Sequence, residues 1–263
     1  MIFSEMTWME ISRVSRNTLV VLPLGSTEQH GPHLPVSTDA LIVTALANAL
    51  EKRCNILLSP TQWLGHSPHH LSFGGTISLD HELYAHMLVQ TAKCFAQMGF
   101  ERLLFLNGHG GNRLPLGMAL QRLKQDVPGL FACSCEYWQP ASSKLAKLRE
   151  SPLGGMGHAC ELETSLCLYL APEKVRQDLI ADGGKLAASP YFRGEMFQSQ
   201  LVAAVSDFAD LTENGVYGMP SIASATKGKC FFDVILNGLE YLVDDLYTYG
   251  SPWPYTRREE EQP

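Results

Sequence analysis

The chain has 263 residues, 45% of them hydrophobic and 18% charged, and its 20 basic against 27 acidic residues leave a net charge of −7. That is enough apolar chain for a substantial core, and an acidic balance without a basic run argues against nucleic acid or an anionic membrane as a partner. No apolar stretch approaches the roughly 18 residues that span a bilayer, and the start MIFSEMTWMEISRVSRN lacks a signal-peptide core, so a cytoplasmic protein is expected. Seven scattered cysteines, an odd number, are expected as reduced and mostly buried thiols, Cys133 and Cys135 included.

Strand and helix alternate along the chain. Thr18 to Leu24 (TLVVLPL) is a near-continuous apolar run closed by Gly25, the pattern of a strand buried on both faces. Ile42, Leu46 and Leu50 recur at four-residue spacing and predict a helix from Asp39, with Ser37, Thr38 or Asp39 as its N-cap. A second strand at Asn55–Leu58 ends at Pro60, and a loop rich in Gly, Pro and His runs to Gly75. Asp80 caps a helix with Leu88, Ala92, Phe95 and Ala96 on one face. Arg102 to Leu106 repeats the buried-strand pattern and leads through NGHGGN at 107–112 into a helix ending near Lys124. A strand at 130–138, a helix at 162–170 and a final helix from about Cys230 to Tyr247 complete the order, while 182–218 is hard to read. This alternation predicts a single α/β domain over 1–250, a three-layer αβα arrangement on a mostly parallel sheet, with 251–263 as a surface arm. Ligands in such folds gather at the carboxyl ends of the strands.

Chemistry-bearing residues stand at those ends. Glu28 and His30, just after the first strand, are two apart, so in an extended segment both point the same way and can present oxygen and nitrogen to a Zn, Mn or Fe ion. Alone, the pair also fits a solvated loop. Asp39, at the next helix start, can fold back over the same strand end. In NGHGGN, three glycines let the backbone turn sharply around His109; a tight turn or an anion loop is possible, but the Walker and GxGxxG spacings are missing, and a metal ligand fits better. In GHACELETS at 157–165, His158 and Glu161 are three apart and share a helical face, whereas Glu161 and Glu163 point in different directions, so only one of the two acids, Glu161 or alternatively Glu163, is expected at the site. Acids at a helix start also serve simply to compensate the dipole. Together Glu28, His30, Asp39, His109 and a carboxylate near 161 are more ligands than one structural zinc needs; they suit a two-metal site with Asp39 bridging, where a metal-bound hydroxide forms at neutral pH.

The runs LPLGSTEQHGPHLPVSTDA, HLSFGGTISLD, NGHGGN and HACELETS, in this order over roughly residues 18 to 170, resemble the creatininase (creatinine amidohydrolase) family. The resemblance implies an oligomer, commonly a hexamer, and a centre of two divalent ions, Zn or Mn, that hydrolyses a C–N bond of a ring or small amide. Matched by motif, Glu28, His30, Asp39 and His109 are metal ligands. In creatininase proper a ligand glutamate follows the NGH histidine by two residues; here that position is Gly111, so Glu161 is expected to replace it as ligand or to act as general base, and creatinine becomes a doubtful substrate. His158 is the expected proton shuttle. Trp138, His66 and His70 are expected to line the substrate pocket, the two histidines alternatively serving loop hydrogen bonds or subunit contacts, and Gly110 to offer backbone N–H groups to a developing oxyanion. Competing readings are a non-catalytic metal-binding relative and an isomerase or C–C hydrolase using the metals as Lewis acids.

Overall fold

Each apolar run finds a parallel partner. In the computed structural model, which describes residues 1–184, 191, 195–197, 201–202 and 204–249, β1 (Leu19–Leu24), β2 (Ile56–Leu58), β3 (Arg102–Asn107) and β4 (Phe131–Glu136) form a parallel sheet in the order β2-β1-β3-β4. The arm expected at 251–263 lies outside the described residues.

Eight helices are described. The short α1 (Trp8–Arg13) is closed by a Thr7–Glu10 capping box. It is followed by α2 (Thr38–Glu51), α3 (His81–Gln97), α4 (Arg113–Asp126), α5 (Ser142–Leu148), α6 (Glu161–Leu170), α7 (Phe208–Leu211) and α8 (Ala225–Tyr249). Successive strand residues feed opposite cores, and so the strands read as unbroken apolar runs. Leu19, Val21, Leu104 and Leu106 share a core with α2, α6 and α8, while Val20, Leu22, Leu103 and Phe105 share the other with α3 and α4. Each fully buried Leu or Phe contributes about 1.5–3 kcal/mol, so the two faces hold the layers together. The three-layer α/β expectation is met.

Two expected bounds shift, and α1, α5, α7 and a short strand pair were not read from the sequence. The α8 helix begins five residues before Cys230, at a start masked by the polar Lys227-Gly228-Lys229 run, where Ser224 Oγ accepts from the Lys227 N–H. The expected strand to 138 stops at Glu136, and the chain turns into α5. A separate antiparallel pair, β5 (Met156–His158) with β6 (Tyr217–Gly218), is too short to show a period. All seven cysteines are free, and no described helix is long and apolar enough to cross a membrane.

The chain passes from β1 to β2 on one side and then crosses to β3 on the other, which opens a crevice at the carboxyl ends of β1 and β3. There Leu24 pairs with Asn107, and the Gly108 N–H donates to Leu24 O at 2.7 Å. The segments carrying Glu28 and His109 thus leave the sheet side by side.

Candidate metal centre

Local hydrogen bonds aim the two loops inward. The Asn107 side chain brackets His109, accepting from its N–H at 3.2 Å and donating to its carbonyl at 2.6 Å, while Asn112 donates to both Asn107 Oδ1 and Gly25 O. Across the crevice the Glu28 N–H is held by Val36 O, which places Asp39, in the first turn of α2, over the strand end. The result is a closed ring of contacts. His30 Nε2 lies 3.2 Å from Asp39 Oδ1, Asp39 Oδ2 lies 3.2 Å from His109 Nδ1, and His109 Nε2 lies 3.2 Å from Glu28 Oε2. All four residues are buried.

The polarity of these contacts fits a cation. His30 Nδ1–H donates to Glu28 O at 3.1 Å, so its Nε2 lone pair faces the Asp39 carboxylate. His109 Nε2–H donates to His66 O at 3.2 Å, so its Nδ1 lone pair faces Asp39 Oδ2. Glu28 Oε2, His30 Nε2 and Asp39 Oδ2 have no hydrogen-bond partner although buried, a costly arrangement unless positive charge sits among them. Protons alone show the demand: burial disfavours a charged His30, yet Asp39, with Glu163 and Glu28, lifts it to about 9. Burial pushes Glu163 up to about 7, with Asp39 and Glu28 adding to the rise and His30 opposing it. Among the described residues, Glu28–Asp39–His109 and His30–His158–Glu163 each bring ligand atoms within 4.8 Å of one another, and so does Glu28–His70–His158. Oxygen and imidazole donors of this kind suit Zn or Mn.

Comparison with known proteins follows this geometry. The creatininase family model, described as creatinine amidohydrolase, matches residues 4–243. The chain belongs to the creatininase family. It is 35% identical over 254 residues to the mycofactocin precursor peptide peptidase of Mycobacterium tuberculosis (strain CDC 1551 / Oshkosh), covering 91% of this chain and 87% of that one. It is 28% identical to the creatinine amidohydrolase of Pseudomonas putida, over 89% and 93% of the two chains. A manganese creatininase structure superposes with a TM-score of 0.79 at 25% identity, over 94% of this chain and 98% of that one. Relatives of this chain include a creatinine amidohydrolase and a deformylase, and the chain is a metal-dependent hydrolase of this family.

One expected ligand is not at the creatininase centre. Glu161 is turned away, its carboxylate accepting from the Glu150 and Ser151 N–H groups at 3.0 and 2.9 Å and from Lys227 Nζ at 3.0 Å. Glu163 takes the inner place, with Oε1 4.0 Å from His30 Nε2. A helix turns about 100° per residue, so Glu163 lies about 60° from the face centred on Leu166 and Glu161 about 140°. That wheel, read from Leu162, Leu166 and Leu170, would have chosen Glu163. Ala159, the only non-glycine at positive φ among the described residues (50°), turns the chain from His158 into α6 and sets both acids. Gly111 could not carry a glutamate: a Cβ there would sit 2.3 Å from His109 Nε2 and from His66 O.

The pocket residues are distributed unevenly. His158 and His70 both reach Glu28 Oε1, at 3.7 Å from Nδ1 and 3.2 Å from Nε2. His66 is tied to Leu79 O through Nδ1 and contributes its carbonyl to His109. Gly110 is exposed beside His109, whereas the neighbouring Gly108 N–H is spent on Leu24. Trp138 does not wall the pocket; it is buried in the core with α5 and α8, edge-on to Tyr137. The aromatic wall is Phe208, whose ring centroid lies 3.9 Å from His70 and 4.7 Å from His158. Its segment showed no period, so nothing in the sequence pointed to it.

Proposed function

We propose that the protein hydrolyses an amide C–N bond of a small polar substrate with two divalent ions, Zn or Mn with Fe admissible, one held by Glu28, Asp39 and His109 and the other by His30, Asp39 and Glu163. The observation that carries this reading is the set of buried, unpartnered Glu28, His30 and Asp39 atoms converging at the carboxyl ends of β1 and β3. A Zn–Zn form of a creatininase mutant and the manganese form support the choice of metals. Ions held by these residues would supply a water of near-neutral pKa and polarisation of the scissile carbonyl. His158 carries its ring hydrogen on Nε2, 2.7 Å from the Gln29 backbone carbonyl oxygen, and so presents a bare Nδ1 toward Glu28. Its Nδ1 therefore accepts a proton and returns it to the leaving nitrogen. Phe208 covers the imidazoles of His70 and His158 and keeps bulk water from them. The Gly110 backbone N–H, exposed beside His109, would donate to a carbonyl oxygen of the substrate. A homo-oligomer in the cytoplasm belongs to the same reading, and light scattering tests the assembly.

The test is metal analysis of purified protein combined with hydrolysis of N-formyl amides, lactams and creatinine in ¹⁸O water. Two equivalents of metal, ¹⁸O in the acid product and release of the amine, as a freed nitrogen group on the same molecule where a ring opens, are expected. Two bound metals without turnover of any amide would overturn the reading in favour of a binding protein, and ¹⁸O uptake without amine release would favour a C–C hydrolase. A second reading, scission of a peptide bond, is favoured by the higher identity to the mycofactocin peptidase, 35% against 28% for the creatinine amidohydrolase. Short peptides in the same panel distinguish the two.

A further inference from the structure

The Gln29 carboxamide lies between two imidazoles of the site. Its Oε1 accepts from the Gly31 N–H at 2.9 Å, and its Nε2 lies 3.0 Å from Gly215 O, so the amide has one orientation. One amide hydrogen goes to Gly215 O and the other to His70 Nδ1 at 2.9 Å rather than to His158 Nε2 at 3.2 Å, which is itself spent as an N–H on the Gln29 backbone carbonyl. A protonated Nδ1 would set donor against donor, so His70 carries its hydrogen on Nε2, which lies 3.2 Å from Glu28 Oε1. His158 is fixed from the other side: its Nε2 lies 2.7 Å from the Gln29 carbonyl oxygen and must be the N–H, which leaves Nδ1 bare toward Glu28. The backbone maintains this arrangement. The Gln29 N–H donates to Thr76 Oγ1, and Gly215, at φ +78°, has no room for a side chain, since a Cβ would sit 2.1 Å from Gln29 Oε1.

We propose that Gln29 is the positioning residue that divides the histidines at Glu28, holding His158 with its Nδ1 lone pair toward the metals and the substrate and converting His70 from a possible ligand into an imidazole whose Nε2–H faces Glu28. Ligand atoms of Glu28, His70 and His158 lie close enough together for a third ion, yet His70 has no lone pair to give it. Its Nε2–H instead faces the Glu28 carboxylate, in the place of an outer partner to a metal ligand. The inference rests on the site being a metal centre, but the tautomers are set by Gln29 and are readable with or without metal.

The test is long-range ¹H–¹⁵N correlation of ring-¹⁵N histidine in the full protein, free and loaded with Zn, alongside a chelator-competition Zn titration. The wild-type protein is expected to show His70 and His158 both as Nε2–H tautomers and to bind two Zn. In Gln29→Glu, of equal size, an acceptor replaces the donor at His70 Nδ1, so His70 switches to the Nδ1–H tautomer and Zn affinity falls about 10–100-fold. Gln29→Leu, should Gln29→Glu fail to fold, leaves His70 as a mixture of tautomers. An Nδ1–H His70 in the wild type, a His70 bound to Zn, or a His70 signal unchanged in the variants would overturn the proposal. Failure to bind Zn with these tautomers intact would instead count against the metal reading alone.

Discussion

Glu161 and Glu163 stand two residues apart in the first turn of α6, both buried, in opposite circumstances. Glu161 is satisfied on every side, by two backbone N–H groups and by Lys227, which also pairs with Glu150 at 2.9 Å. Those bonds outweigh burial and hold its carboxyl below the ordinary range. Glu163 faces two other carboxylates and a histidine, and its pKa is raised. The comparison separates a carboxylate that holds the fold from one that awaits a ligand: the first comes with its counter-charge, the second is stored without it. Burial alone does not distinguish them.

Substitutions can break this contrast, beginning with the largest effect. Asp39→Ala removes the carboxylate common to both proposed ligand sets and should cost at least one metal equivalent and at least about 10²–10³-fold in turnover; full occupancy by elemental analysis would refute the shared position. Glu163→Gln should lose or weaken one ion while the thermal midpoint of the metal-free protein holds. Glu161→Gln should do the reverse, keeping metal stoichiometry and losing about 2–3 kcal/mol of stability, read as a lower midpoint in thermal unfolding. Metal loss in Glu161→Gln with full metal in Glu163→Gln would exchange their roles. The pH sign is set by the lowered carboxyl of Glu161: its stabilisation is complete above the ordinary value of 4.5 and fades as pH falls through the depressed one. The midpoint difference between the wild type and Glu161→Gln should therefore shrink in acid. The smallest effect is expected from Phe208→Ala, which should raise KM for whichever amide is turned over and leave both metals in place.

The fold was legible because burial on both faces leaves a plain signature: TLVVLPL and RLLFL can only be inner strands of a covered sheet. The same logic placed Glu28, His30, Asp39 and His109, since unusual residues at strand ends stand where the crevice opens. Glu161 misled because a polar residue facing α8 has the same local sequence as one facing the site, and only the helix wheel, or Lys227 some 66 residues on, separates them. Phe208 and Gln29 were hidden for different reasons. Phe208 arrives from a stretch without period, and Gln29 acts through an amide orientation set by Gly215, which is 186 residues distant.

Because both acids ride on one helical turn, occupancy at the centre has a mechanical readout elsewhere. Drawing Glu163 inward loads the same backbone that Glu161 ties to residues 150–151 and to α8, so filling the centre and tightening that outer layer become one cooperative event. Amide hydrogen exchange should record it: slower exchange at Glu150, Ser151 and the start of α8 on metal addition, in residues that touch no metal.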